Sequence, residues 1–216
     1  MNIKLDDLFE LKDGLELIQN RTFEDVCFDH FSIRTRDGIK TVLKDIVFKS
    51  CEVSPGTCRL MPGVNLLNVR FSNFKCGDAM HVASEAVLDG VVIDGAFPNA
   101  LIVKPLFRGE NGVGCESHQL GLDISDYEGE VNISCKSVGC VVTNPELQAK
   151  IKLALLDGFD WKSCGVSGVS YWKILARKIS VEGGMEGVYS LPNKSSKNYN
   201  KAVHELQKLR AKGVFE

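Results

Sequence analysis

The sequence predicts a mainly β solenoid, a stack of coils built from short parallel strands, with a cap at its N-terminal end and an α-helical cap at its C-terminal end. Three observations carry this. A five-residue beat runs through the first half of the chain, clearest in Ala86-Val-Leu88-Asp-Gly, Val91-Val-Ile93-Asp-Gly, Ala96-Phe-Pro98-Asn-Ala and Leu101-Ile-Val103. A longer period of about four such units is superimposed on it, as expected of a wound chain. Towards the C-terminus the beat gives way to apolar residues at helical spacing.

Residues 1–20 form the predicted N-terminal cap. The strand edges at the ends of a stack invite aggregation, so both ends need covering. Leu5, Leu8, Phe9, Leu11, Leu15 and Ile18 fall at mostly helical spacings, with Gly14 interrupting a single long helix.

Residues 21–143 form the predicted solenoid. With the larger apolar position of each unit taken as its centre, centres fall at Phe23, Phe28, Ile33 and Gly38, then at Leu43, Phe48, Val53 and Cys58. The next sets are Leu66, Phe71, Cys76 and His81, and Leu88, Ile93, Pro98 and Val103. Phe23 to Leu43 is 20 residues, Leu43 to Leu66 is 23 and Leu66 to Leu88 is 22. Insertions therefore sit at coil corners and leave the faces aligned. In extended chain, residues two apart share a side, so a centre and the residue two before it point inward together. The remaining residues, often Asp-Gly, Ser-Asn, Gly-Asp or Asn-Ala, turn the corner. Stacking predicts one inward ladder of Phe23, Leu43, Leu66 and Leu88, and another of Phe28, Phe48, Phe71 and Ile93.

The stretches Asn65–Asp78 and Ala86–Val103 resemble the pentapeptide-repeat family, and the resemblance extends over roughly residues 22–103. A weaker return follows at Leu122-Asp-Ile, Tyr127-Glu-Gly, Ile133-Ser-Cys and Val138-Gly-Cys. The resemblance implies a right-handed parallel β-helix with four sides. Ile46, Val69, Phe31 and Phe74 occupy the place where that family favours a small residue, and Gly38, His81 and Pro98 depart from it at the centre. A broader right-handed parallel β-helix with coils of irregular length accounts for the bulkier residues equally well.

Near residues 104–120 the beat breaks at Arg108-Gly-Glu-Asn-Gly-Val-Gly-Cys-Glu-Ser-His. No Lys-Ser or Lys-Thr follows the glycines, so the stretch reads as an inserted corner loop rather than a phosphate loop. Residues 144–216 form the predicted helical cap. Asn144-Pro145-Glu146 reads as a helix start, followed by a stripe of Leu147, Ile151 and Leu155 and a stop at Gly158. A second helix is expected around Ser170–Ile179, with Tyr171, Ile174, Leu175 and Ile179 inward. A third is expected over Tyr199–Ala211, with Val203, Leu206 and Leu209 on one side.

Composition narrows the function classes. Apolar residues at 44% and charged residues at 25% are ordinary for a globular chain and argue against wholesale disorder. No apolar run approaches the roughly 20 residues of a membrane span. The first residues lack a basic start and a continuous apolar stretch, so no secretory signal is read and a cytoplasmic location is expected. Of the eight cysteines, Cys27, Cys51, Cys58, Cys76 and Cys140 lie inside the apolar pattern and read as reduced core thiols. Net charge is −3 over residues 1–20, −4 over 21–143 and +5 over 144–216, too weak an asymmetry to argue for nucleic acid.

Candidate chemistry is sparse. Asp89 and Asp94 hold equivalent positions on consecutive faces of one coil, where carboxylates could bind Ca²⁺ or act as acid and base, yet each precedes a glycine and its turn role explains it. No close Cys-x-x-Cys pair exists, and no metal site or cofactor is implied. Trp161 and Trp172, beside Lys162, Lys173, Arg177 and Lys178, suit either an interface or a packed cap. The candidate partner contacts are therefore Asp89, Asp94, Arg108, Glu110, Trp161 and Trp172. The expected function is that of a non-enzymatic, cytosolic protein-binding solenoid, in the manner of an inhibitor or immunity-type protein. DNA mimicry of the kind by which some pentapeptide-repeat proteins protect topoisomerases is the second reading, and polysaccharide cleavage by a β-helix lyase or hydrolase the third. No membrane partner is expected, and a solenoid end left bare would favour end-to-end homodimers.

Overall fold

The computed structural model describes residues 2–35, 38–54, 56–106 and 120–216. A short 3-10 turn, Leu5–Leu8, precedes strand β1 (Glu10–Lys12). The first coil comprises β2 (Leu15–Glu24), β3 (Cys27–Phe28) and β4 (Phe31–Ile33). The second comprises β5 (Thr41–Lys49), β6 (Glu52–Val53) and β7 (Cys58–Leu60). The third comprises β8 (Val64–Ser72), β9 (Lys75–Cys76) and β10 (Met80–Ala83). The fourth holds β11 (Val87–Asp89), β12 (Val91–Asp94) and β13 (Ala100–Lys104), and the fifth β14 (Leu122–Asp123) and β15 (Glu130–Cys135). The chain then runs through β16 (Val141–Val142), β17 (Gln148–Lys152), helix α1 (Tyr171–Val181), β18 (Glu186–Ser190) and helix α2 (Tyr199–Ala211).

The result is a β-solenoid of about 5 turns. Equivalent strands of successive coils pair in parallel, in the orders β2-β5-β8-β12-β14-β16, with β11 also on β8, then β3-β6-β9 and β4-β7-β10-β13-β15.

The five-residue beat has a backbone cause. Asn20, Asp45 and Asn68 adopt the left-handed conformation in the middle of β2, β5 and β8, and Gly90 does so between β11 and β12. Five residues on, Asp25, Ser50, Asn73 and Gly95 repeat it. A left-handed residue bends extended chain sharply, and Asn, Asp and Gly tolerate that region best. Each long strand is thus bent into two faces, with its corner stacked on the corners above and below. At one such corner Asn68 Nδ2 donates to Asp45 Oδ1 at 2.7 Å. Gly95 combines this backbone (φ +84) with close approach of Asn73, whose Oδ1 accepts the Ala96 amide at 3.0 Å. Gly95→Ala places a Cβ against that side chain and is expected to cost at least about 1 kcal/mol in urea unfolding.

Inside, the centres stack as ladders, but the first coil is longer than expected. Leu43, Leu66 and Leu88 align, as do Phe48, Phe71 and Ile93. Below them lie Ile18 and Phe23, where Phe23 and Phe28 were expected; Ile18 to Leu43 is a step of 25 residues. Phe28 stacks instead under Val53. The corner before the fourth face also varies in length, from Phe28 to Phe31, Val53 to Cys58 and Cys76 to Met80. Cys58 therefore pairs with Met80, and His81 faces outward beside Arg59 rather than inward. A one-residue slip turns a side chain to the opposite face of a strand. Cys51, Cys58 and Cys76 are inward as expected, whereas Cys140 is exposed.

The N-terminal cap is one 3-10 turn and a hairpin rather than an α-helix. Asp13 and Gly14, both at positive φ, form a two-residue hairpin turn that folds β1 back on β2, with Lys12 opposite Leu15. The first coil thus begins at Leu15, and Ile3 bridges to Phe28 below the stack.

The C-terminal cap is mixed rather than purely helical. The stripe of Leu147, Ile151 and Leu155 is not a helix: Asn144 Oδ1 accepts the Glu146 amide in a tight turn, and Gln148–Lys152 becomes strand β17. Strand β18 pairs antiparallel with β15 on one side and β17 on the other, so the solenoid sheet continues into the cap and its last edge is covered. Helices α1 and α2 occur where the sequence places them. Their inward residues are Trp172, Leu175, Ala176 and Ile179, and Ala202, Leu206 and Leu209; Ile174 is exposed. These form a second hydrophobic core with Ala149, Ile151, Tyr189 and Phe215, separate from the core of the coils.

Candidate functional site

The residues singled out from the sequence do not converge. Asp94 is engaged within the sheet, its Oδ2 2.7 Å from an Arg70 guanidinium nitrogen and 3.0 Å from Ser72 Oγ one coil below. Asp89 is exposed at the end of β11, beside Leu67 of the coil below. Trp161 is half-buried, edge-on to Phe159 and Phe215, with the Lys173 ammonium 5.6 Å from its ring centre. Trp172 is corrected as a partner contact: it is 0% exposed, and its indole nitrogen donates to Ala202 O at 2.8 Å. Arg108 and Glu110, with most of the expected loop, lie outside the described residues.

The structure points instead to a cleft of about 670 Å³ where the fourth and fifth coils meet the cap. Its solenoid wall is built around Tyr127, whose buried hydroxyl donates to Pro98 O at 2.6 Å and ties the fifth coil to the fourth. Burial holds that phenol protonated, well above its ordinary range. With Tyr127 inward, Glu128 and Glu130 flank Gly129 and line the cleft. Their amides donate to Gly95 O at 3.0 Å and Asn99 O at 2.9 Å, so both carboxylates stand on fixed backbone. A Cβ at residue 129 would lie 2.5 Å from Pro98 O and against the Tyr127 hydroxyl, so glycine is needed between the two glutamates.

The cap supplies the other wall: Tyr171 at the start of α1, the Leu191–Lys194 turn after β18, and Tyr199 at the start of α2. Tyr171 Oη donates to Ser190 O at 2.8 Å. Burial, and secondarily the Glu130 charge, push its hydroxyl up to about 12, so it stays a neutral donor. The Val131 amide on Ser190 Oγ (2.8 Å) joins the two walls, and the Leu191 amide on Leu147 O (2.8 Å) fixes the cap wall. Two carboxylates, two tyrosines and the Lys194 amine therefore share one cleft, with neither histidine nor cysteine among its lining residues. Such a surface suits cations and hydroxyl donors flanked by apolar groups.

Beyond the cleft, α1 and the turn after it expose three separate apolar side chains, with Arg177 and Lys178 between the first two. Ile174 lies one turn beyond Tyr171 and Val181 two turns further; with Met185 they are 58%, 67% and 62% exposed. Sequence reasoning missed this site. Glu128 and Glu130 carry no motif, and the cleft joins segments that are remote in sequence; Tyr127-Glu-Gly was legible only as a weak repeat.

Among the described residues no group of three or more His, Cys, Asp or Glu side chains is placed to hold a metal, and no helix is long and apolar enough to cross a membrane. In comparisons with known proteins, no family model, curated protein or solved structure matches this chain.

Proposed function

We propose that this solenoid is a binding protein whose cleft between coils and cap receives a basic segment of a protein partner. The observation that carries the reading is the pair Glu128 and Glu130, fixed on coil backbone, facing Tyr171 and Tyr199 across about 670 Å³. Tyrosines combine apolar area with a polar tip at little entropic cost, and paired carboxylates complement Lys or Arg. Exposed Ile174, Val181 and Met185, with Arg177 and Lys178 among them, offer apolar contacts to a partner beyond the cleft. An inhibitor or immunity-type role is the sharper form of this reading, and the coils are read as degenerate pentapeptide units.

The test is a tagged pull-down at low and moderate salt, comparing wild type with Glu128→Gln/Glu130→Gln and with Ile174→Asp. We expect one stoichiometric partner on the wild type that survives moderate salt and is lost from both variants. A partner retained equally by all three, or none on the wild type, overturns the proposal. Suppression of the captured partner's own activity then decides the inhibitor role.

The same carboxylate pair favours one alternative, polysaccharide cleavage, which predicts glycan turnover abolished by either single Glu→Gln change while glycan binding persists. DNA mimicry draws less support, because outward rungs of the coils alternate in sign, as in Glu24 with Lys49 (2.6 Å) and Asp94 with Arg70.

A further inference from the structure

On the face formed by β7, β10 and β13, three cationic or titratable side chains lie on adjacent coils. Arg59 of β7 and His81 of β10 are direct neighbours in the outward row, and Lys104 of β13 stands beside Ala83 of β10. Neighbouring parallel strands lie about 4.8 Å apart; Arg59 is one strand from His81, and Lys104 lies on the next strand beyond, two residues past Ile102, which stands directly beside His81. The three side chains line a depression of about 140 Å³ with Met61, Ala83 and Leu106.

Among the described residues, none of the three makes an ion pair or a side-chain hydrogen bond. Glu85, on the turn after β10, is held at the rim: its two carboxylate oxygens accept the amide of Leu106, itself a lining residue, at 3.1 and 3.3 Å. A guanidinium fork, an ammonium and an imidazole around a small hollow match the oxygens of a tetrahedral anion, while Met61 and Leu106 offer apolar contact to whatever carries it.

We propose that this depression binds a small-molecule phosphate or sulfate monoester through Arg59, His81 and Lys104. The site is independent of the cleft and of the function proposed for it.

The pH dependence has a definite sign. Partial burial, with Arg59 and Lys104 nearby, lowers the His81 pKa and favours the neutral imidazole in the unliganded protein. A bound dianion favours the protonated form, so binding takes up a proton and strengthens as pH falls. Sulfate stays doubly charged through this range, so a pH effect measured with it belongs to the protein.

The experiment follows the imidazole NMR signals of the four histidines, His30, His81, His118 and His204, in the full chain during titration with sulfate, inorganic phosphate and phenyl phosphate. Sulfate is expected to shift His81 alone, saturating with a Kd of about 1 mM near pH ~6, and to bind at least about fivefold more weakly near pH ~8. Arg59→Gln and Lys104→Gln alter exposed side chains and should each weaken binding about tenfold. Phenyl phosphate should bind more tightly than inorganic phosphate. No shift at His81, equal shifts at all four histidines, or binding retained in both variants overturns the site. Equal affinity for phenyl and inorganic phosphate overturns the ester and leaves free phosphate as the ligand.

Discussion

Phe48→Ala is expected to lower stability by about 3–5 kcal/mol, read as a fall in the urea midpoint followed by far-UV circular dichroism. Phe48 is 0% exposed and lies between Phe23 and Phe71, with nearly parallel rings at centroid distances of 5.3 and 5.0 Å. Phe28, Phe31 and Phe74 meet it edge-on at 5.8, 5.3 and 5.7 Å. Truncation leaves a hollow at the centre of three stacked coils, whose backbone pairing on both sides prevents collapse around it. Phe48→Asp is expected to abolish folding, because a carboxylate in this ring cluster finds no partner. Lys49, the next residue, points out and places its amine 2.6 Å from Glu24. Lys49→Ala should leave the midpoint unchanged, since exposed ion pairs contribute little. A midpoint for Phe48→Ala equal to wild type would mean that the aromatic ladder does not hold the coils together.

Trp172→Ala is expected to cost the C-terminal cap a similar amount, about 3–5 kcal/mol, and to uncouple its unfolding from that of the coils. The indole lies between Tyr171 and Phe215 at 5.1 and 5.6 Å and bonds Ala202 O of α2, so it joins both helices to the chain end. The two cores are distinct and are linked chiefly through the pairing of β18 with β15. Both tryptophans of the chain lie in the cap, so in this variant Trp161 fluorescence reports the cap alone while circular dichroism is dominated by the coils. The fluorescence transition should come first as urea rises. Coincident transitions would show the cap and coils to be one cooperative unit.

The boundaries between legible and illegible elements follow from local physics. A repeat of five cannot distinguish a coil of four units from one of five, because a slip by a whole unit keeps every apolar residue inward. The pattern alone sets Phe23 under Leu43, whereas it lies under Phe48. Asp13-Gly14 is a hairpin signal, but Leu11, Leu15 and Ile18 around it also fit helical spacing, and pairing of β2 with β5 decides in favour of strand. Asn144 does cap, yet it caps a turn, because β18 offers Gln148–Lys152 a sheet partner that an isolated segment lacks. Helix α2 has no competing partner of this kind and was legible to the residue.

The sequence by itself therefore determined the solenoid, the inward ladders from Leu43 onward, the corners and the two helices, because these rest on alternation, left-handed turn residues and helical spacing, which act over a few neighbouring residues. Only the tertiary structure decided the length of the first coil, the strand that joins cap to coils, the outward turn of His81 and the meeting of Glu128 and Glu130 with Tyr171 and Tyr199. Those depend on which distant segments share hydrogen bonds and buried surface, a choice that local pattern leaves degenerate and packing resolves.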